Sequence, residues 1–235
     1  MILDMRGGLV VSCQALAGEP LHYQGVMAMM AVAAENGGAV GIRANGGEDI
    51  ADIKKAVRLP VVGLKKKNYD DSQVYITPTI EELFEVGTAG ADIIAIDATA
   101  RKRPGGVKLY EIVAAARKYF PDKLIMADIS NFCEAQAAYD EGFDIISTTL
   151  SGYTPDSPDV KGPDFELVKR LARYFSQKSV PVFAEGRVRN PEQAGRLIEY
   201  GAWSIVVGSA ITRPELITKD FVSAMSDKPY SSQIS

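Results

Sequence analysis

Histidine is nearly missing from this 235-residue chain, which carries only His22, and cysteine is scarce, with Cys13 and Cys133 alone. A single imidazole all but removes histidine-based triads and histidine-rich zinc sites from consideration. Two thiols provide no disulfide framework, so a reducing cytoplasm is the expected setting. Without a histidine base Cys13 reads as a packed small hydrophobe, and His22 as a local hydrogen-bonding residue near the first loop. Long apolar runs are also lacking. The longest, Val26 to Ala34, is too short to span a bilayer. The opening residues Met1 to Arg6 show no basic segment leading into a hydrophobic one, so no secretory signal is expected. An excess of positive charge is absent as well: the net charge is −4, which argues against a nucleic-acid surface. No glycine-rich fingerprint follows the first strand, since Gly7-Gly8 precedes it, and this speaks against a nicotinamide cofactor. No Cys/His metal spacing exists, and no metal is expected.

What remains is ordinary globular material, 46% hydrophobic and 24% charged, with no linker to divide it. One domain over residues 1–235 is expected, with a flexible tail over 226–235. Eight short β-branched runs recur: Gly8–Val11, Ala39–Ile42, Pro60–Leu64, Asp92–Ile96, Lys123–Ala127, Asp144–Ser147, Val180–Ala184 and Trp203–Val207. Each is followed by a longer segment of helical periodicity, the signature of parallel α/β architecture. Eight repeats predict closure into a single (β/α)8 barrel rather than an open sheet. Thr79 before Glu81-Glu82, and Asn190 before Pro191, read as helix starts. Gly87, Gly142 and Gly201 read as helix stops.

In such a barrel the chemistry lies beyond the C-terminal strand ends, so the residues closing each run are the informative ones. They are notably polar: Gln14, Arg43, Asn45, Lys65 to Lys67, Asp97, Asp128, Thr148, Thr149, Glu185, Arg187, Gly208 and Ser209. The last two strand ends, with Gly186-Arg187 and Gly208-Ser209, place glycine where backbone N–H groups and a short helix start can face a phosphate. Arg213 lies close enough to add charge. Three consecutive lysines compete for one role; if Leu64 points into the barrel, Lys66 shares its direction. Desolvation beside other cations would depress such a lysine into the range of a usable base, and would equally suit an imine-forming one. Glu185, beside the phosphate-type glycine, is the stronger catalytic carboxylate, and Thr149 is placed among the substrate-binding candidates.

Several segments together resemble a known family. They are Ser12–Leu16 with Glu19-Pro20-Leu21, Gly41–Gly46, Val74–Thr79, Asp97-Ala98-Thr99 with Arg101 and Arg103-Pro104, Ser147–Thr154, and Ala184–Arg187. They are similar to the bacterial N-acylglucosamine-6-phosphate 2-epimerases, and the resemblance covers nearly the whole chain. It implies a ribulose-phosphate-binding-type barrel acting without a cofactor on a phosphorylated N-acyl amino sugar in sialic-acid and amino-sugar catabolism. Register against Val62-Gly63 and Tyr69 puts the family lysine on Lys66. By the same likeness Glu185 matches the catalytic carboxylate, while Gln14, Arg43, Asp128 and Arg213 match substrate-binding positions. A homodimer is expected from similar barrels.

The implied reaction suits the residues. A C2 proton is removable only when C1 is a carbonyl, so the sugar must open and cations or donors must stabilise the enolate. Two other readings use the same parts: a Schiff-base sugar-phosphate aldolase, and a barrel that binds a sugar phosphate without turning it over.

Overall fold

A computed structural model describes residues 1–226. Eight parallel strands close in sequential order, β1 against β8. They are β1 (Leu9–Cys13), β2 (Gly41–Asn45), β3 (Val61–Leu64), β4 (Ile93–Asp97), β5 (Leu124–Asp128), β6 (Ile145–Ser147), β7 (Val182–Glu185) and β8 (Ser204–Val207). The helices around them are α1 (Val26–Asn36), α2 (Gly47–Ala56), α3 (Ile80–Thr88), α4 (Leu109–Tyr119), α5 (Phe132–Asp140), α6 (Phe165–Phe175), α7 (Pro191–Glu199), α8 (Ser209–Thr212) and α9 (Pro214–Ser226). The expected (β/α)8 barrel is therefore present. Ser226 closes α9, and the rest of the expected tail lies outside the described residues.

Strand alternation sorts each run into two cores. Val10, Val62, Leu64, Ile93, Ala95, Met126, Ile145, Phe183 and Val206 fill the barrel interior. Their neighbours Val11, Ile42, Val61, Ile94, Ile96, Ile125 and Ile146 face outward and pack under the helices. Both faces are apolar, which is why the runs read as continuous rather than alternating. At the N-terminal end a short 3-10 helix, Ile2–Met5, lies against the barrel, with Met5 fully buried in the interior cluster. The Trp203 indole donates to the Ile2 carbonyl at 3.0 Å and fixes that plug.

Most strands sit one or two residues further along the chain than the apolar runs suggest. Asp97, Asp128 and Glu185 are the last members of their strands: Asp97 pairs with Asp128 in the β4–β5 ladder, and Glu185 with Val206. Polar closing residues thus still belong to the sheet, and this carries them into the barrel interior. One helix stop needs correction. Gly87 lies within α3, where an added Cβ would come within 2.4 Å of the Phe120 ring. The turn is made by Gly90 at φ +98°, equivalent to Gly142 (+89°) and Gly201 (+95°). Both expected helix starts hold: Thr79 accepts from the Glu81 N–H at 3.2 Å, and Asn190 from that of Gln193 at 2.9 Å.

Candidate active site

The strand-end rule leads to one cavity of about 530 Å³ at the C-terminal mouth of the barrel. Gln14, Arg43, Lys66, Thr149, Glu185, Gly186, Arg187, Gly208, Ser209 and Arg213 all line it. Asp128 does not. It is fully buried beneath the floor, where its carboxylate accepts from Arg43 Nη2 at 2.5 Å and Nη1 at 3.2 Å.

Arg43 is the centre of that floor. Strand β2 aims it into the barrel, where it is 1% exposed, and Asp128 takes it bidentately across the interior. Its Nη1 also lies 3.4 Å from Glu185 Oε2 and 3.4 Å from the Met126 sulfur, while Nε finds no partner among the described residues. Burial alone would depress the guanidinium, but Asp128 and Glu185 outweigh it and hold it above its ordinary value. A cation so placed is fixed in position and permanently charged.

Above it the lysine run separates cleanly. The segment after β3 continues as an extended chain, with Lys66 bridged to Ile76 and the Lys67 N–H donating to the Tyr75 carbonyl at 3.0 Å. The alternation of Val62 and Leu64 therefore reaches Lys66, whose N–H donates to Asn45 Oδ1 at 2.7 Å. Lys65 pairs with Glu85 at 2.8 Å and Lys67 with Glu82 at 2.9 Å, both carboxylates belonging to α3. Lys66 makes no ion pair among the described residues and lines the cavity. Burial, then the cations Arg43 and Arg213, push it below 10.5, against partial opposition from Glu185 and Asp128.

Glu185 faces this lysine from β7. Burial raises its carboxyl and the Asp128 charge adds to that, while Arg43, a hydrogen bond from Thr149 wherever that hydroxyl donates, and Lys66 pull the other way. Its Oε2 is 3.1 Å from the Thr149 hydroxyl, which also lies 2.6 Å from Asp128 Oδ1 and 2.9 Å from Ser147 Oγ. Gln14 reaches Ser12 Oγ through Nε2 at 2.9 Å, and its buried carbonyl oxygen has no partner among the described residues.

At the β7 and β8 ends the chain turns sharply. Gly186 has φ +107° and Arg187, a non-glycine residue, φ +55°. The Arg187 guanidinium stacks 4.8 Å over Tyr153, donates through Nε to the Gly162 carbonyl at 2.8 Å, and presses on Gly152, where a Cβ would meet it at 2.3 Å. Arg213 is half-buried and paired with Glu19. Ser209 opens the four-residue α8, with Gly208 before it.

Two features of the wall escaped the strand-end rule. Tyr75 lines the cavity from the long loop between β3 and α3, and burial followed by Asp128 and Asp97 raises its phenol. Leu216, Ile217, Asp220 and Phe221 of α9 form the outer side. Tyr75 belongs to one of the family-like segments, the only signal by which it could have been found; α9 had none. Asp97 takes no part in the cavity: it is buried and paired with Arg101 at 2.7 Å. Cys13 is fully buried with its thiol pushed up to about 12 by burial and Asp49, and His22 contacts the Ala15 carbonyl at 3.2 Å. Among the described residues no group of three or more His, Cys, Asp or Glu could hold a metal ion, and no helix is long and apolar enough to cross a membrane.

Comparison with known proteins gives concordant matches. Residues 27–227 match the family model described as N-acetylmannosamine-6-phosphate epimerase. A protein of Caldanaerobacter subterraneus subsp. tengcongensis named N-acetylmannosamine-6-phosphate 2-epimerase is 54% identical over 231 residues, 98% of this chain and 96% of that one. A protein of Clostridioides difficile with the same name is 51% identical over 227 residues, covering 96% and 99%. Among solved structures, the N-acetylmannosamine-6-phosphate 2-epimerase of Clostridium perfringens superposes with a TM-score of 0.91 at 46% identity, covering 95% of each chain. A thiamine phosphate pyrophosphorylase from Pyrococcus furiosus, at 18% identity and TM-score 0.61, shares the fold alone.

Proposed function

The chain belongs to the N-acetylmannosamine-6-phosphate epimerase family, and we propose that its barrel-mouth cavity performs the epimerisation through Lys66. The enzyme interconverts N-acetylmannosamine 6-phosphate and its C2 epimer, N-acetylglucosamine 6-phosphate. In our reading, the protonated Glu185 assists opening of the sugar ring, exposing the C1 carbonyl that acidifies the C2 proton. Lys66 removes that proton and returns one to C2. Charge then develops on the C1 oxygen, where Arg43, locked by Asp128, is a preorganised cation. The observation that carries this reading is the isolation of Lys66: its two neighbours are paired with α3 carboxylates, while it alone faces the cavity with its basicity depressed.

The phosphate belongs at the other end of the cavity. The N–H groups of Gly186, Arg187 and Ser209 find no acceptor among the described residues, and Arg187 and Arg213 bring positive charge. Gln14, whose buried carbonyl oxygen has no partner among the described residues, stands on the substrate side, and Thr149 lines the same cavity. The chemistry needs neither a metal nor a redox group, because removal and return of a proton are net neutral. We also propose a cytoplasmic homodimer: the thiols support the compartment, and Phe221, Val222 and Met225 give α9 an exposed apolar face suited to a second copy. Sedimentation of the purified protein reads that stoichiometry.

Incubation with N-acetylmannosamine 6-phosphate in D₂O, without added metal or nucleotide, tests the activity. Proton NMR should show the gluco epimer with deuterium at C2. The depressed lysine would also suit imine chemistry, so borohydride is added in a parallel sample; a trapped adduct would replace the epimerase mechanism with an aldolase-like one.

A further inference from the structure

Thr149 stands between two carboxylates with a single proton to give. Its oxygen is 2.6 Å from Asp128 Oδ1, 3.1 Å from Glu185 Oε2 and 2.9 Å from Ser147 Oγ. The short contact assigns the Thr149 proton to Asp128, which, as the bidentate partner of Arg43, offers acceptors only. The remaining lone pairs of Thr149 can therefore only accept. Ser147, whose hydroxyl has no other partner among the described residues, fills one. A hydrogen bond from Glu185 to the other requires the proton to sit on Glu185. If Glu185 were ionised, its oxygen would face the Thr149 oxygen with no proton between them.

From this proton count we infer that Thr149 is a positioning residue that holds the acid proton on Glu185, rather than a ligand of the sugar. The inference rests on Glu185 acting as the acid in the reading above. The charged groups that act most on Glu185 among the described residues are Arg43 from β2, Asp128 from β5 and Lys66 from the end of β3. Arg43 and Lys66 favour the ionised carboxyl, Asp128 and burial the neutral one. Thr149 would lower the carboxyl as a donor; with its one proton on Asp128 it accepts instead and adds to the neutral side.

Two variants separate this role from simpler ones. Thr149→Val keeps the shape and removes the hydroxyl; Thr149→Ser restores it. With ¹³C-labelled glutamate, and Glu185→Gln to assign the signal, the Glu185 carboxyl carbon is titrated by NMR in each. Loss of one hydrogen bond to the neutral form should lower its titration midpoint by about one pH unit in Thr149→Val, with Thr149→Ser returning close to the parent. At neutral pH kcat should fall by up to about tenfold in Thr149→Val with KM changed less than about twofold. An unmoved or raised midpoint overturns the assignment, as does a rise in KM at unchanged kcat, which would make Thr149 a sugar ligand. Parent protein that fails to exchange C2 in D₂O would defeat the epimerase mechanism while leaving the titration result interpretable by itself.

Discussion

Asp128→Asn should damage stability far more than its position at an active-site mouth would suggest. The carboxylate is fully buried and its partner Arg43 is 1% exposed, so the substitution strands a guanidinium whose remaining charged neighbour is Glu185 at 3.4 Å. Removing one member of a buried pair costs about 3–5 kcal/mol, because the desolvation penalty of the other stays unpaid. Glu185 can offset part of this by ionising, which places the loss near the lower bound and costs the enzyme its acid. For a chain of this length each kcal/mol moves Tm by about 2–4 °C, so a loss of about 3 kcal/mol should lower Tm by roughly 6–12 °C. Urea denaturation should show the midpoint falling with an unchanged slope. The double variant Arg43→Met/Asp128→Leu, which removes both charges of the pair, should recover most of the stability while remaining inactive. If Asp128→Asn lies within about 1 kcal/mol of the parent, and the two sites prove additive, the pair does not anchor the floor as argued.

Two further outcomes follow from the same geometry. The profile of kcat/KM against pH should be a bell whose Glu185 limb lies above 4.5 and whose Lys66 limb lies below 10.5, because burial moves the carboxyl up and the lysine down from those values. Lys66 must be neutral to act, so rate is lost as pH falls through its titration; Glu185 must be protonated, so rate is lost as pH rises through its own. Glu185→Gln should remove one limb, and a profile unchanged by that substitution would contradict the assignment. In the scaffold, Gly87→Ala should destabilise by about 1–3 kcal/mol, since its Cβ would strike the Phe120 ring at 2.4 Å. Gly195→Ala, in α7 with nothing within 4 Å, should stabilise by about 0.5–1 kcal/mol; thermal melts that fail to separate the two would refute the packing argument.

Much of this was legible in the residues. The eight apolar runs identified the barrel because interior and exterior faces are both buried, and the order of strands followed from parallel connections. The boundaries slipped because a carboxylate looks like the end of a strand, whereas Asp97, Asp128 and Glu185 are ladder members. The strand-end rule gathered the cavity residues, since it depends only on topology. It could not foresee that Arg43 and Asp128, 85 residues apart, would consume each other's charge and leave Asp128 off the cavity wall. Nor did spacing decide among three adjacent lysines. Lys66 is distinguished by residues 75–77, which return to pair with 65–67 and extend the strand's alternation by one more side chain. The Gly87 error has the same origin: a buried glycine inside a helix and a turn glycine look alike until Phe120 is seen against one of them.

The most direct test of the account is C2 proton exchange of N-acetylmannosamine 6-phosphate in D₂O by three single variants of confirmed fold, Lys65→Ala, Lys66→Ala and Lys67→Ala. Lys66→Ala should lose exchange by about 10²–10⁴-fold, the range expected for removal of a general base. The other two, paired with Glu85 and Glu82 on α3, should retain it within several-fold. Exchange that survives Lys66→Ala, or vanishes in either neighbour, would contradict the assignment of Lys66 as the group that moves the proton.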